Sequence, residues 1–232
     1  MIEEPRLLTV ARQMPRPTAA QIAAFRNVPT GFVADAMDGT GALSSAIQPV
    51  GWGRDIACLA AGPALTADNG PGDILATLAA LKFLRQGDVL VAAFAGHQGC
   101  AAAGDRVMGM AKNAGAAGFV TDGPMRDYAG LVAVGLPAWC SGLTPASPVS
   151  RGPARVGFPV QIGGRQVATG DMIVADRDGV VVVPFAAIDA VIARLARVRE
   201  LELALDAEVA AGLRLPENIA EVLAGDQTVY EE

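Results

Sequence analysis

Two short stretches hold the residue types that could do chemistry together: Gly104-Asp105, and Asp122-Gly-Pro-Met-Arg126-Asp127. An arginine beside an aspartate offers a fork of N–H donors for a carboxylate next to a hard oxygen ligand for a divalent cation. If Asp105 opens a helix, the first turn after Gly104 presents free N–H groups and the positive end of the helix dipole to an anion. An anionic substrate could then be held against a metal ion. Each residue also has a plainer reading. An aspartate in a first helical turn complements the dipole, and an adjacent Arg-Asp pair is commonly a solvated surface pair.

The elements that must position these residues alternate between helix and strand. Thr18 with Gln21 three residues on forms a capping box, which predicts a helix through Asn27, and Thr30 is expected to cap a second over 31–38. Residues 56–67 are apolar and broken by Gly62-Pro63, suggesting two strand pieces. Residues 74–84 have helical spacing. A buried strand follows Gly87-Asp88, a helix runs over 106–113 to Gly115, and a second buried strand covers 118–121. This puts both stretches at the carboxyl ends of strands, where α/β folds place their sites.

From Pro159 to Pro184 the chain reads as β, with turns at Gly163-Gly164, around Gly170-Asp171 and at Asp176-Arg-Asp-Gly179. Residues 186–211 predict one long helix, and Pro216 starts a short last one. The stretch 151–159 is expected to be a loop within one domain. The expected organisation is an α/β core over 1–184 and a helical extension over 185–232, with no internal repeat.

The composition sets the classes excluded. Of 232 residues 52% are hydrophobic and 18% charged, which rules out disorder, while 5% aromatic leaves the core to Ala, Val, Leu and Ile. Gly and Pro supply 42 residues, so turns are many. The net charge is -6 without clusters of Lys or Arg, so no nucleic-acid partner is expected. No apolar run approaches the roughly 20 residues that span a bilayer. Positions 1–5 lack the features of a secretion signal, and Cys58, Cys100 and Cys140 fit neither a disulfide framework nor a zinc knuckle. The expectation is a soluble cytoplasmic protein without a membrane partner.

The spacing from Asp105 across twenty residues to Arg126-Asp127 resembles the signature of the 4-hydroxy-4-methyl-2-oxoglutarate aldolase family. Further pieces match in order: Val33-Ala-Asp35-Ala-Met-Asp38, Gly62-Pro-Ala-Leu-Thr66 with Pro71-Gly-Asp73, Gly87-Asp88-Val-Leu-Val91, Gly163-Gly164 with Gly170-Asp171, and Asp176-x-Asp178-Gly-Val-Val-Val-Val-Pro184. That family shares its fold with the regulators of ribonuclease activity, and such proteins often carry a dimethylmenaquinone methyltransferase label. The resemblance implies a single β/β/α swivelling-type domain, assembled as a homotrimer or a dimer of trimers.

By that resemblance Asp127 is a ligand of Mg²⁺ or Mn²⁺, and Asp105 holds metal-bound waters. Arg126 binds the carboxylate or keto oxygen of a 2-oxo acid, with N–H groups of Gly104, Asp105, Arg106 and Val107 completing the pocket. A glutamate from a neighbouring subunit approaches the metal through water. Counting back from Gly212 points to Glu202, with Glu200 close behind, though both also suit a solvated helix face. The implied reaction is metal-dependent cleavage of 4-hydroxy-4-methyl-2-oxoglutarate or 4-carboxy-4-hydroxy-2-oxoadipate to pyruvate, with oxaloacetate decarboxylation by the same enolate chemistry. Lys82 and Lys112 fall in predicted helices, so neither is placed for a Schiff base.

The loop over 94–100, which holds the lone His97, replaces an acidic glycine-rich loop of relatives. His97 reads either as an acid–base group or as a bystander. The rival readings are a regulatory binding protein of the same fold and a lyase acting on another oxo acid. No glycine-rich nucleotide loop follows an early strand, which argues against a methyltransferase.

Overall fold

A computed structural model describes residues 6–231, and the pentapeptide at positions 1–5 lies outside them. The first half of the chain forms β1 (Leu8–Val10), α1 (Ala19–Ala24), α2 (Thr30–Asp35), β2 (Gln48–Pro49), β3 (Ala60–Asp68), α3 (Leu75–Ala80), β4 (Val89–Ala93) and α4 (Asp105–Asn113). There follow β5 (Gly118–Thr121), α5 (Tyr128–Val134), β6 (Ala138–Cys140), β7 (Ala154–Val156), β8 (Val160–Ile162), β9 (Arg165–Val167), β10 (Met172–Ala175), β11 (Val180–Val183), α6 (Ile188–Ala210) and α7 (Glu217–Ala224).

The framework of the site is the run β3-β4-β5-β6, parallel throughout, with α3, α4 and α5 as crossovers. Such strands are covered on both faces, so they read as unbroken apolar runs. Val89 to Ala92 and Phe119 to Val120 are fully buried. The sheet continues beyond this run, in the order β1-β7-β3-β4-β5-β6-β2, and β10 with β11 joins it along β3. β8 and β9 form a separate hairpin around Gly163-Gly164. A second apolar cluster, including Phe25, Val33, Met172, Val181, Ile188 and Leu195, binds α1, α2 and the start of α6 to β10 and β11.

Several sequence expectations change. Residues 60–68 make one nine-residue strand, not two pieces. Its first part, Ala60 to Pro63, pairs with β10, and its second, Ala64 to Asp68, pairs with β4. Pro63, which lacks an N–H, sits where the partner changes, so no ladder bond is lost there. Gly62 is required because a Cβ there would lie 2.0 Å from the carbonyl oxygen of Gly87.

The loop expected over 151–159 contains β7, which pairs with β1 and β3. Thr30 is not a cap. Pro29 holds that position, and Thr30 gives its N–H and hydroxyl to Asp176, both at 2.8 Å. Lys82 lies in the turn after α3, and Lys112, within α4, donates to the carbonyl of Val134. The capping box of Thr18 and Gln21 is present as expected.

Candidate active site

The loops leaving β4 and β5 are bound to each other, and that binding positions the site. Asp122, one residue past β5, accepts N–H groups from Phe94 at 2.6 Å and Gly96 at 2.7 Å. Gln98 donates to the carbonyls of Asp122 and Gly96, and receives the Ser141 hydroxyl at 2.7 Å. The loop over 94–100 is therefore held across the ends of both strands. Asp122, from the same motif as Arg126, is a loop fastener.

Beyond Asp122 the chain pairs with its neighbours on both sides. Met125 bridges to Ala103 and Leu143, and the N–H of Arg126 donates to the carbonyl of Ala103 at 3.0 Å. This sets Arg126 and Asp127 beside the start of α4. Arg126 Nε lies 3.3 Å from Asp127 Oδ2, and its Nη1 donates to Ser147 Oγ at 2.6 Å. Both side chains remain partly open, at 35% and 46% exposure, so the guanidinium is oriented while its outer edge faces solvent.

Asp127 holds the N-cap position of α5 with a left-handed backbone (φ 61°), and its carboxylate makes no capping bond. Aspartate tolerates that conformation better than most residues, yet here the usual return of a carboxylate to the helix amides is missing. The group turns towards Gly104 instead. A Cβ on Gly104 would stand 2.7 Å from Asp127 Oδ2, and one on Gly130 would stand 2.4 Å from Asp105 Oδ2. Two glycines thus leave the room in which both carboxylates sit.

The structure brings Gly104, Asp105, Arg126 and Asp127 together. Asp105 opens α4, with Gly104 at its cap. Of the amides expected to receive a carboxylate, that of Arg106 donates to Asp105 Oδ1 at 2.7 Å, and Val107 is buried with its side chain in the core. His97 does not face Asp105 through any hydrogen bond. Its ring packs edge-on to Phe94 at 5.6 Å, and its Nε2 faces Gly72 and Gly99. Glu202 and Glu200 lie on α6 in its outer half, past the last residue of that helix to be buried, Leu195.

Among the described residues no group of three or more His, Cys, Asp or Glu side chains gathers where a metal ion could be held. The two carboxylates still suit a small hard cation that keeps several waters and takes one or two protein oxygens.

Sequence reasoning missed three features here. Ser147 reaches Arg126 from a distant loop. Gly130 is an unremarkable glycine in a helix. A cavity of about 390 Å³ opens beside α5, lined in part by Trp52, Tyr128 and Leu143. No local pattern announces any of them, because each arises from loops brought together by the sheet.

Residues 30–182 match the sequence profile of the family described as RraA-like, Aldolase/RraA. A protein of Halalkalibacterium halodurans, provisionally named a 4-hydroxy-4-methyl-2-oxoglutarate aldolase, is 40% identical over 163 residues, covering 70% of this chain and 76% of the relative. Among solved structures, Streptomyces coelicolor RraAS2, described as an unusual member of the RNase ES inhibitor RraA protein family, aligns with a TM-score of 0.71 and 27% identity. That match covers 83% of this chain and all of the other. An uncharacterized protein of Pseudomonas syringae pv. tomato shares the fold, with a TM-score of 0.73 at 23% identity over 86% of this chain and 96% of the other. With two thirds of its length inside the family profile, the chain belongs to the RraA-like family of aldolases and RraA proteins.

Proposed function

We propose that the protein is a divalent-metal-dependent lyase that cleaves a 4-hydroxy-2-oxo acid to pyruvate. The observation that carries this reading is that the paired Arg126 and Asp127 lie against Gly104, the residue before Asp105, while the Asp105 carboxylate lies against Gly130 of the helix that Asp127 caps. The provisional aldolase name of the Halalkalibacterium relative supports the reaction class. The candidate substrates are 4-hydroxy-4-methyl-2-oxoglutarate and 4-carboxy-4-hydroxy-2-oxoadipate, with oxaloacetate as a decarboxylation substrate.

Asp127, with Asp105 through water, would hold Mg²⁺ or Mn²⁺. When bound, the cation supplies Lewis-acid stabilisation of the charge that grows on the keto oxygen. Arg126, oriented by Ser147, binds the substrate carboxylate and adds a fixed positive charge beside the reacting atoms. In the reaction the C3–C4 bond breaks and its electrons pass into the pyruvate enolate. The 4-hydroxyl loses its proton as its oxygen becomes a carbonyl, and C3 of the enolate regains one. Asp105 would accept the hydroxyl proton through a water molecule.

The extension from residue 185 onward belongs to this reading as the part that reaches a neighbouring subunit. α6 buries Ile188, Val191 and Leu195 against its own chain, then exposes Leu201, Leu205 and Val209. Docked in a trimer or a dimer of trimers, it would bring Glu202 to a neighbour's Asp127.

Pyruvate release tests the function. The protein with Mg²⁺ is incubated with the two hydroxy-oxo acids and oxaloacetate, and pyruvate is measured by a coupled assay. Turnover of at least one is expected, with Arg126→Lys lowering kcat/KM by about 100-fold, because a lysine cannot make the planar two-pronged contact. The likeness to RraAS2 favours a binding protein without catalysis as the second reading, and that reading stands if no pyruvate forms.

A further inference from the structure

We propose that Ser147 is a substrate-binding residue. Its hydroxyl accepts a hydrogen bond from Arg126 and donates its own proton to the carboxylate that Arg126 holds, the one attached to the keto carbon. This rests on the lyase reading for the identity of that carboxylate. It adds to the site a donor from outside the motif of Asp105, Arg126 and Asp127.

The Arg126 guanidinium is held by two of its nitrogens. Nε lies 3.3 Å from Asp127 Oδ2, and Nη1 donates to Ser147 Oγ at 2.6 Å. Nη2 has no partner among the described residues. A serine hydroxyl carries one proton and two lone pairs, and a guanidinium can only donate. Arg126 therefore occupies a lone pair of Ser147 and leaves its proton uncommitted. Among the described residues that proton finds no acceptor. Nη2 and the Ser147 O–H are thus unused donors on adjoining groups, and a carboxylate has two oxygens to receive them.

Ser147 lies on an exposed loop, yet the loop is fixed on both sides of it. The N–H of Thr144 donates to the carbonyl of Met125 at 2.9 Å, and the carbonyl of Ala146 accepts the N–H of Ala101 at 3.0 Å. Beyond Ser147, the N–H of Val149 donates to the carbonyl of Gly72 at 3.0 Å, and its carbonyl accepts the N–H of Ile74 at 2.9 Å. Asp73, 6% exposed, then takes the amides of Arg151 at 2.5 Å, Gly152 at 2.9 Å and Leu75 at 2.7 Å. None of these bonds uses the Ser147 side chain, whose one partner among the described residues is Arg126. The fold fixes the place of residue 147, and the hydroxyl serves Arg126 and what Arg126 binds.

Two roles for Ser147 separate in the kinetics. The carboxylate keeps its charge as the C3–C4 bond breaks, so a hydrogen bond to it is as strong in the ground state as in the transition state. Its loss raises KM and spares kcat. A serine that only aimed Arg126, a charge beside the reacting atoms, would lower kcat when removed.

The test measures kcat and KM for 4-hydroxy-4-methyl-2-oxoglutarate with Mg²⁺. It also measures the dissociation constant of pyruvate, which keeps the same carboxylate and keto group, by titration calorimetry. Ser147→Ala is expected to raise both KM and that constant by about 10-fold, the size of a lost hydrogen bond to a charged group, with kcat changed by less than about 2-fold. Ser147→Thr keeps the hydroxyl and is expected to return both constants to within about 2-fold of the wild type. Constants unmoved in Ser147→Ala, a fall in kcat in place of the rise in KM, or a threonine variant no better than alanine would overturn the assignment. Pyruvate binding weakened by the alanine substitution and restored by threonine, with no cleavage of any hydroxy-oxo acid, would remove the lyase reading and keep Ser147 as an oxo-acid ligand. A wild type that neither cleaves these acids nor binds pyruvate overturns both.

Discussion

Asp127 caps a helix without using its carboxylate to do so, and Asp105 rests against a glycine that admits no larger residue. Gly130→Ala tests how far this spacing matters. The new methyl would meet the Asp105 side chain at 2.4 to 2.8 Å, so Asp105 or the α4–α5 contact must shift. Alanine is the better helix former by about 1 kcal/mol, which offsets part of the packing loss in α5. The expected outcome is a fall in kcat/KM of about 100-fold with a much smaller proportional change in thermal midpoint, read by kinetics and calorimetry on the same sample.

A second prediction at this scale concerns Cys140. Burial pushes its thiol up from the ordinary 9.0 to about 11. As pH rises the unfolded chain therefore gives up the proton first. The neutral thiol's contribution is whole below pH 9 and declines between 9 and about 11, by about 2–3 kcal/mol. Urea unfolding at pH 8 and pH 10.5 should show that loss, and Cys140→Ala should flatten it; equal slopes in both proteins would contradict it.

Among the elements, β3 joins three partners: β10 along its first part, β4 along its second, and β7 at Ala67 and Asp68. The carbonyl of Gly87 presses against Gly62 with no space for a side chain; Gly62 is fixed in β3, and Gly87 is held in the turn before β4 by its N–H donating to the carbonyl of Gly115 at 2.8 Å. Gly62→Ala should cost about 3 kcal/mol or more, or prevent folding, as measured by chemical denaturation. The same element explains how much of the fold the sequence announced. The long apolar runs at 89–93 and 118–121, the capping box at Thr18 and the helix over 105–113 carry periodicity or capping chemistry that local rules can read.

β1, β2, β6 and β7 have three residues or fewer, too short to show alternation, and exist because the sheet offers them an edge. α5 was masked by Gly130 and Gly135, the first kept for Asp105 and the second for the left-handed exit of the helix. The site divides the same way. Asp105, Arg126 and Asp127 share one spacing motif and were legible. Ser147 and the wall formed by Trp52 and Tyr128 come from separate loops and were not.

For the whole molecule, the net charge of -6 is unevenly placed. Residues 185–232 hold ten acidic and four basic side chains, while residues 1–184 balance fourteen against fourteen. The extension is thus acidic, and it exposes Leu201, Leu205, Val209, Ile219 and Val222. An amphipathic segment that its own chain does not cover is suited to an interface between subunits. Light scattering should give a mass of three or six chains, and Leu205→Glu with Val209→Glu should reduce it. Glu202→Gln should leave the mass intact and lower kcat. None of the helices among the described residues is long and apolar enough to cross a membrane.

In the proposed reaction Asp127 is the metal ligand, so the proposal rests on it more than on any other residue. Its role is measured most directly by the rate of pyruvate formation from oxaloacetate as Mn²⁺ is titrated into chelator-treated protein, for the wild type and for Asp127→Asn. The expected result is a saturable, metal-dependent rate in the wild type that falls by about 100-fold or more in Asp127→Asn, while both proteins unfold at similar temperatures. A rate above the metal-only blank that is equal with chelator present, or equal in the two proteins, would contradict the metal-dependent lyase.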